Sequence, residues 1–200
     1  MTRTHVAFAL ASSLWVCALG GVVVAQAPAG GAPRRATQPA TAAPLGIGRP
    51  ATPAEITAWD DDVMPDGTGL PPGSGTPAAG ATLFAVRCAG CHGRTGREGP
   101  NDVLVGAQPR EGFPFSKNPA LPHTIGNYWP YATTVFDYIR RAMPPDAPGS
   151  LSDADVYNLT AFLLNANELI AADAVIDAAT LPKVTMPARE HFVPDTRTRQ

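Results

Sequence analysis

Apolar positions along the chain form one solid N-terminal run and a few amphipathic stretches, separated by long tracts rich in Pro, Gly and Ala. The run from Val6 to Val24 follows Arg3 and leads to the small-residue exit Ala25-Gln26-Ala27, the pattern of a cleaved export signal over residues 1–27. Ser12, Ser13 and two glycines dilute this run, which argues against a permanent membrane anchor. Trp15 and Val16 before Cys17 lack the small residues that lipid attachment needs, so Cys17 reads as a signal-core residue. Residues 28–51 are dominated by Ala, Pro, Gly and Thr, too poor in large apolar groups to repay ordering, and read as a flexible linker.

Beyond the linker the pattern becomes helical in pieces. Thr52-Pro53-Ala54-Glu55 is a capping box that predicts a short helix to about Trp59. Turn formers crowd residues 60–75, so the rest of segment 52–75 should run as an extended surface strap. Thr76-Pro77 opens a helix over Ala78–Arg87, with Gly80, Leu83, Phe84 and Arg87 at helical spacing. Gly80, lacking a side chain, permits a close helix crossing there. Val135, Tyr138, Ile139 and Ala142 predict a second helix over Tyr131–Ala142. A third should start at Ser152, with Asp153 and Asp155 complementing its positive end and an apolar stripe of Val156, Tyr157, Leu159, Thr160, Leu163 and Leu164. Past Asn167 the pattern is weakly helical, then Pro-broken, with a polar tail from about Lys183. No strand pattern stands out, and the fold class expected is all-α.

The formal net charge of −2 over 200 residues, with charges of both signs interspersed, excludes a nucleic-acid binder. Once the signal is removed, only Cys88 and Cys91 remain, too close in sequence to staple a long loop. They belong to Cys88-Ala89-Gly90-Cys91-His92, the attachment signal for covalent haem, in which two thiols add to the vinyl groups and the adjacent imidazole is held under the iron. A redox dithiol would want a βαβ setting, and a zinc site would want a second Cys/His pair, neither of which the sequence offers. One motif implies one haem c, with Cys88 and Cys91 as its covalent anchors and His92 as an axial ligand. Met143, at the end of a predicted helix and before Pro144-Pro145, is the candidate for the sixth iron position. Met64 and Met186 sit in strap and tail, where no helix frames them, and His123 reads as part of a surface loop more simply than as a second axial histidine. Pro100 is expected to offer its carbonyl to the His92 Nδ1 proton. Tyr128 and Trp129 are candidates for the pocket edge, and Arg141 or its neighbour Arg140 for a propionate partner.

Cys88–His92, Gly99-Pro100 and Met143 before the last helix together resemble a class I cytochrome c, which implies helices wrapped on one haem, here over a haem domain of 76–170 with a tail at 171–200. Further likeness lies in Pro65-Asp66-Gly67-Thr68-Gly69-Leu70-Pro71, Tyr128-Trp129-Pro130-Tyr131-Ala132, Asp137-Tyr138-Ile139 and Arg141-Ala142-Met143-Pro144. These are similar to the c-type subunit of sulfane dehydrogenase in the Sox thiosulfate-oxidation system and to related sulfite dehydrogenase subunits. Sox subunits carry two haem segments where this sequence has one, which keeps a single-haem sulfite dehydrogenase relative as the alternative. The resemblance implies a periplasmic electron-transfer subunit without substrate chemistry of its own. Its partners would be a molybdopterin-containing dehydrogenase subunit and a downstream cytochrome c or oxidase; a general electron shuttle is the competing reading, and a haem sensor or enzyme a more distant one.

Overall fold

A computed structural model describes residues 46–193; the signal segment and most of the 28–51 linker lie outside them. The described elements are α1 (Pro53–Thr57), β1 (Ser74–Gly75), α2 (Pro77–Arg87), α3 (Ala89–His92), α4 (Ala132–Ala142), α5 (Asp153–Ala166) and β2 (Ile176–Asp177). Short 3₁₀ turns occur at Pro114–Ser116, Leu181–Lys183 and Arg189–His191. Both capping boxes form, at Thr52/Glu55 and Ser152/Asp155, and the Thr76 hydroxyl accepts the Ala79 N–H at the head of α2.

Helices α2 and α4 pack on α5, whose apolar residues from Val156 to Leu164 form the centre of the core. Phe84 of α2 meets Phe162 at 4.8 Å between ring centroids, and Phe136 of α4 meets Tyr157 at 4.5 Å. The face of α4 differs from the simple helical stripe: Phe136 and Asp137 are buried with Val135 and Ile139, while Tyr138 is 50 % exposed. A carboxylate inside the buried face is what the periodicity of apolar residues could not register.

Asp137 belongs there because it holds the strap. Its Oδ1 accepts the Val63 N–H at 2.9 Å and Arg141 Nε at 2.9 Å, and its Oδ2 receives the second Arg141 nitrogen, a two-point guanidinium–carboxylate pair. Nearby, Thr133 donates to the Pro65 carbonyl, Arg140 to the Asp61 carbonyl and Tyr157 to the Pro71 carbonyl. The strap thus satisfies its backbone on side chains of α4 and α5, and Val63 is drawn into the core at 4 % exposure. Asp137→Ala is expected to cost the holoprotein about 1–3 kcal/mol, the penalty of an unpaired buried N–H plus a lost half-exposed ion pair. Chemical denaturation would measure it, and an unchanged midpoint would refute the role.

Two features depart from the sequence expectations. β1 and β2 pair antiparallel, Ser74 with Asp177 and Gly75 with Ile176; strands of two residues are too short to leave an alternation. The segment after Lys183 is also not simply a polar tail, since Met186 is 4 % and Ala188 2 % exposed, and Met186 joins Leu181 in the core. Isolated apolar residues on and between short 3₁₀ turns have no helical or strand period, so their burial is decided by contact.

Candidate functional site

Helix α2 ends at Cys88, and the single turn of α3 carries Cys91 and His92. The chain then reverses over this turn. A Cβ on Gly99 would stand 2.1 Å from the Cys91 carbonyl oxygen, so only glycine lets the returning loop lie against the motif. The Asn101 N–H donates to the Cys91 carbonyl at 3.0 Å, and both Leu104 and Val105 N–H groups converge on the Gly96 carbonyl. This loop brings the Asp102 carbonyl to 2.9 Å from His92 Nδ1. A carbonyl can only accept, so Nδ1 carries the proton and Nε2 keeps its lone pair for a metal. The carbonyl that orients the imidazole is therefore that of Asp102 and not of Pro100: the loop closes two residues further along than the free proline carbonyl indicated, and Pro100 instead lines the cleft.

The cleft has a volume of about 770 Å³ and its wall includes Cys91, His92, Pro100, His123 and Met143. Two smaller cavities beside it have volumes of about 60 and 130 Å³, and His92 and Met143 line all three. The first is walled by Phe84, Cys88, Leu104, Ile139, Leu159 and Leu163, an apolar slot reaching from the cysteines to α5. Burial in this wall pushes the Cys88 thiol up to about 11, offset in part by Arg87 and reinforced by Cys91. The thiol is held neutral, as an apolar wall requires.

Met143 caps the C-terminal end of α4, where the backbone turns extended and its N–H still bonds to the Ile139 carbonyl. Helix α4 thereby aims it at the cavities that His92 faces. Two thiols on one side, an imidazole with a free nitrogen, a thioether and an apolar slot fit a planar iron macrocycle held by thioether bonds and two axial ligands. Among the described residues no group of three or more His, Cys, Asp or Glu could hold a bare metal ion. Met64 and Met186 line none of these cavities.

The other pocket candidates divide. Trp129 lines the 130 Å³ cavity and meets Tyr138 edge-on at 5.8 Å. Tyr128 lines none of these three cavities; its ring lies behind His123, stacked at 4.0 Å. Arg141 is turned away to Asp137 of its own helix, and Arg140 to Asp153 of α5 and the Asp61 carbonyl of the strap, so both guanidinium groups are engaged on α4, α5 and the strap rather than in the cleft. His123, which reads in sequence as surface, forms part of the cleft and of the 130 Å³ cavity.

Sequence reasoning also passed over the asparagines that brace the site. Asn167, 1 % exposed, takes the Gly106 N–H and donates to the Leu104 and Leu163 carbonyls, tying the loop over His92 to α5. Asn127, equally buried, takes the Thr124 N–H and donates to the Gln108 and Pro122 carbonyls, bracing the His123 loop. A lone asparagine in a loop carries no sequence signal for such brackets; three backbone partners each can be seen only in the fold.

Comparison with known proteins agrees with this geometry. Residues 75–163 match the family model described as cytochrome C oxidase, cbb3-type, subunit III. A chain in the crystal structure of the sulfane dehydrogenase SoxCD from Paracoccus pantotrophus is 45% identical, over 78% of this chain and 75% of that one, with a TM-score of 0.65. No curated protein matches. With helices packed about a cleft that presents the Cys88–His92 motif, and with this likeness, the chain belongs to the class I c-type cytochromes, covalent-haem electron-transfer proteins, and is similar to a chain of sulfane dehydrogenase.

Proposed function

We propose that this cytochrome is the exported, single-haem electron-transfer subunit of a molybdenum-dependent sulfite or sulfane dehydrogenase. The observation that carries the reading is the 45% identity to a SoxCD chain across 78% of this one. Cys88 and Cys91 would anchor the haem and His92 and Met143 would hold its iron, with the Asp102 carbonyl orienting His92. Bound haem supplies one-electron iron chemistry between these ligands. The protein keeps water from the cysteine side with the apolar slot of Phe84, Leu104, Ile139 and Leu163. Oxidation of a sulfur compound releases an electron pair, so a one-haem subunit is reduced and reoxidised twice per substrate. Electrons then pass to a downstream cytochrome c or oxidase.

Export rests on residues 1–27 and tethering on 28–51, with the haem domain at 76–170. Among the described residues no helix is long and apolar enough to cross a membrane. Co-expression with a molybdopterin-containing dehydrogenase subunit should yield a complex that coelutes on gel filtration. Adding sulfite or a sulfane-sulfur substrate should then reduce its haem, seen as a sharpened α-band in stopped flow. A cytochrome that neither coelutes nor is reduced, while unrelated dehydrogenases reduce it readily, would identify a general shuttle instead.

A further inference from the structure

Four rings from three separate segments form a column that starts in the cleft. His123, in the wall that also holds His92 and Met143, stacks on Tyr128 with centroids 4.0 Å apart and planes 13° from parallel. Tyr128 stacks on Phe113 at 5.6 Å and 17°, and Phe113 on His191 at 4.6 Å and 18°. Phe115 and Phe192 close its sides edge-on, each against both Tyr128 and Phe113. His191 is exposed, so the column runs from cleft to solvent.

The main hydrophobic core does not account for this column, since neither Phe113, Phe115, Tyr128 nor Phe192 belongs to it. Its third ring is held at a backbone cost. Phe113 has φ 39° and ψ 63°, the left-handed region that a bulky residue ordinarily avoids, and such a conformation persists only where surrounding contacts impose it. Parallel planes across all three contacts are also more order than apolar packing alone asks of aromatic rings, which pair edge-on as readily.

We propose that the His123–Tyr128–Phe113–His191 column is an electron port, coupling haem in the cleft to a one-electron redox protein at the His191 face. Electronic coupling falls off steeply across gaps and less steeply through packed matter, and rings in unbroken contact give the cleft a continuous route to the surface. The balance is simple: one electron passes between the ferrous haem and the oxidised partner, which end ferric and reduced. No bond breaks, no proton moves and no ring changes oxidation state. A relay with a separate donor and acceptor can thereby use the open mouth of the cleft for one and the His191 face for the other.

The port rests on haem occupying the cleft, as proposed above. It is tested in the haem-loaded protein with a ruthenium polypyridine photoreductant coordinated to His191, the singly labelled species being selected by peptide mapping. After a laser flash, the rate of haem reduction should fall several-fold in Tyr128→Leu and in Phe113→Leu and stay at the wild-type value in Tyr128→Phe, which keeps the ring. The haem midpoint potential should be the same in all of them. Unchanged rates in normally loaded leucine variants overturn the port alone. So does a slower rate confined to variants whose C-terminal segment has come loose, seen as faster tryptic cleavage at Arg189. Protein that takes up no haem at all overturns the port together with the reading it rests on.

Discussion

Met143→Ala is expected to abolish the weak methionine-to-iron absorption band at the red edge of the ferric spectrum and to open the reduced iron to carbon monoxide. Met143 stands at the C-cap of α4, on the wall of all three cavities described above that His92 lines, whereas Met64 is half exposed in the strap and Met186 is packed into the core. Among the described residues no other thioether is therefore in reach. Methionine ligation raises the potential of a haem relative to histidine or water ligation, so the variant's midpoint should fall by on the order of 0.1 V, a fraction of the roughly 0.8 V that axial ligation spans. Spectroscopy and redox titration of the purified variant decide the matter. A variant that keeps the band and excludes carbon monoxide would show that another side chain closes the iron.

Gly80→Ala is expected to destabilise the protein by about 3 kcal/mol, at the upper end of what overpacking usually costs. An added Cβ would lie 1.9 Å from the Asn158 carbonyl oxygen and 2.6 Å from the Phe162 Cβ, so α2 must move away from the backbone of α5. Alanine's better helix propensity returns about 1 kcal/mol, which does not offset a clash with main chain. For a chain of this length the loss corresponds to a fall in Tm of about 6–12 °C. Ala81→Ser, on the exposed side of the same helix, should stay within about 0.5 kcal/mol. Since α2 also delivers Cys88, the Gly80 variant should mature less haem as well. Equal melting curves for the Gly80 variant and wild type would show that the crossing is not as tight as described.

Caps and stripes made the helices legible. Thr52, Thr76 and Ser152 announce their helices because capping is local chemistry, settled within a turn of the chain, and α2 and α5 lie within a residue or so of where the periodicity puts them. The partners of Arg141, the acceptor of the His92 proton and the burial of Met186 were not legible, for a common reason. Each is a competition among groups far apart in sequence, and a linear pattern carries no information on which arrives first. Asp137 shows this best: as one acidic residue on an apolar face it looks like an interruption, and it is the anchor for a strap that begins more than a helix's length upstream in the chain.

From the sequence alone come the longer helices, the covalent haem motif and the candidacy of Met143, because these depend on residues adjacent or regularly spaced along one segment. The tertiary structure decided that Asp102 and not Pro100 orients His92, that Arg141 serves the strap, that His123 enters the cleft and that its ring heads a column to the surface. Those outcomes are set by close packing, in which a carbonyl, a guanidinium or a ring takes whatever partner the assembled helices bring within reach.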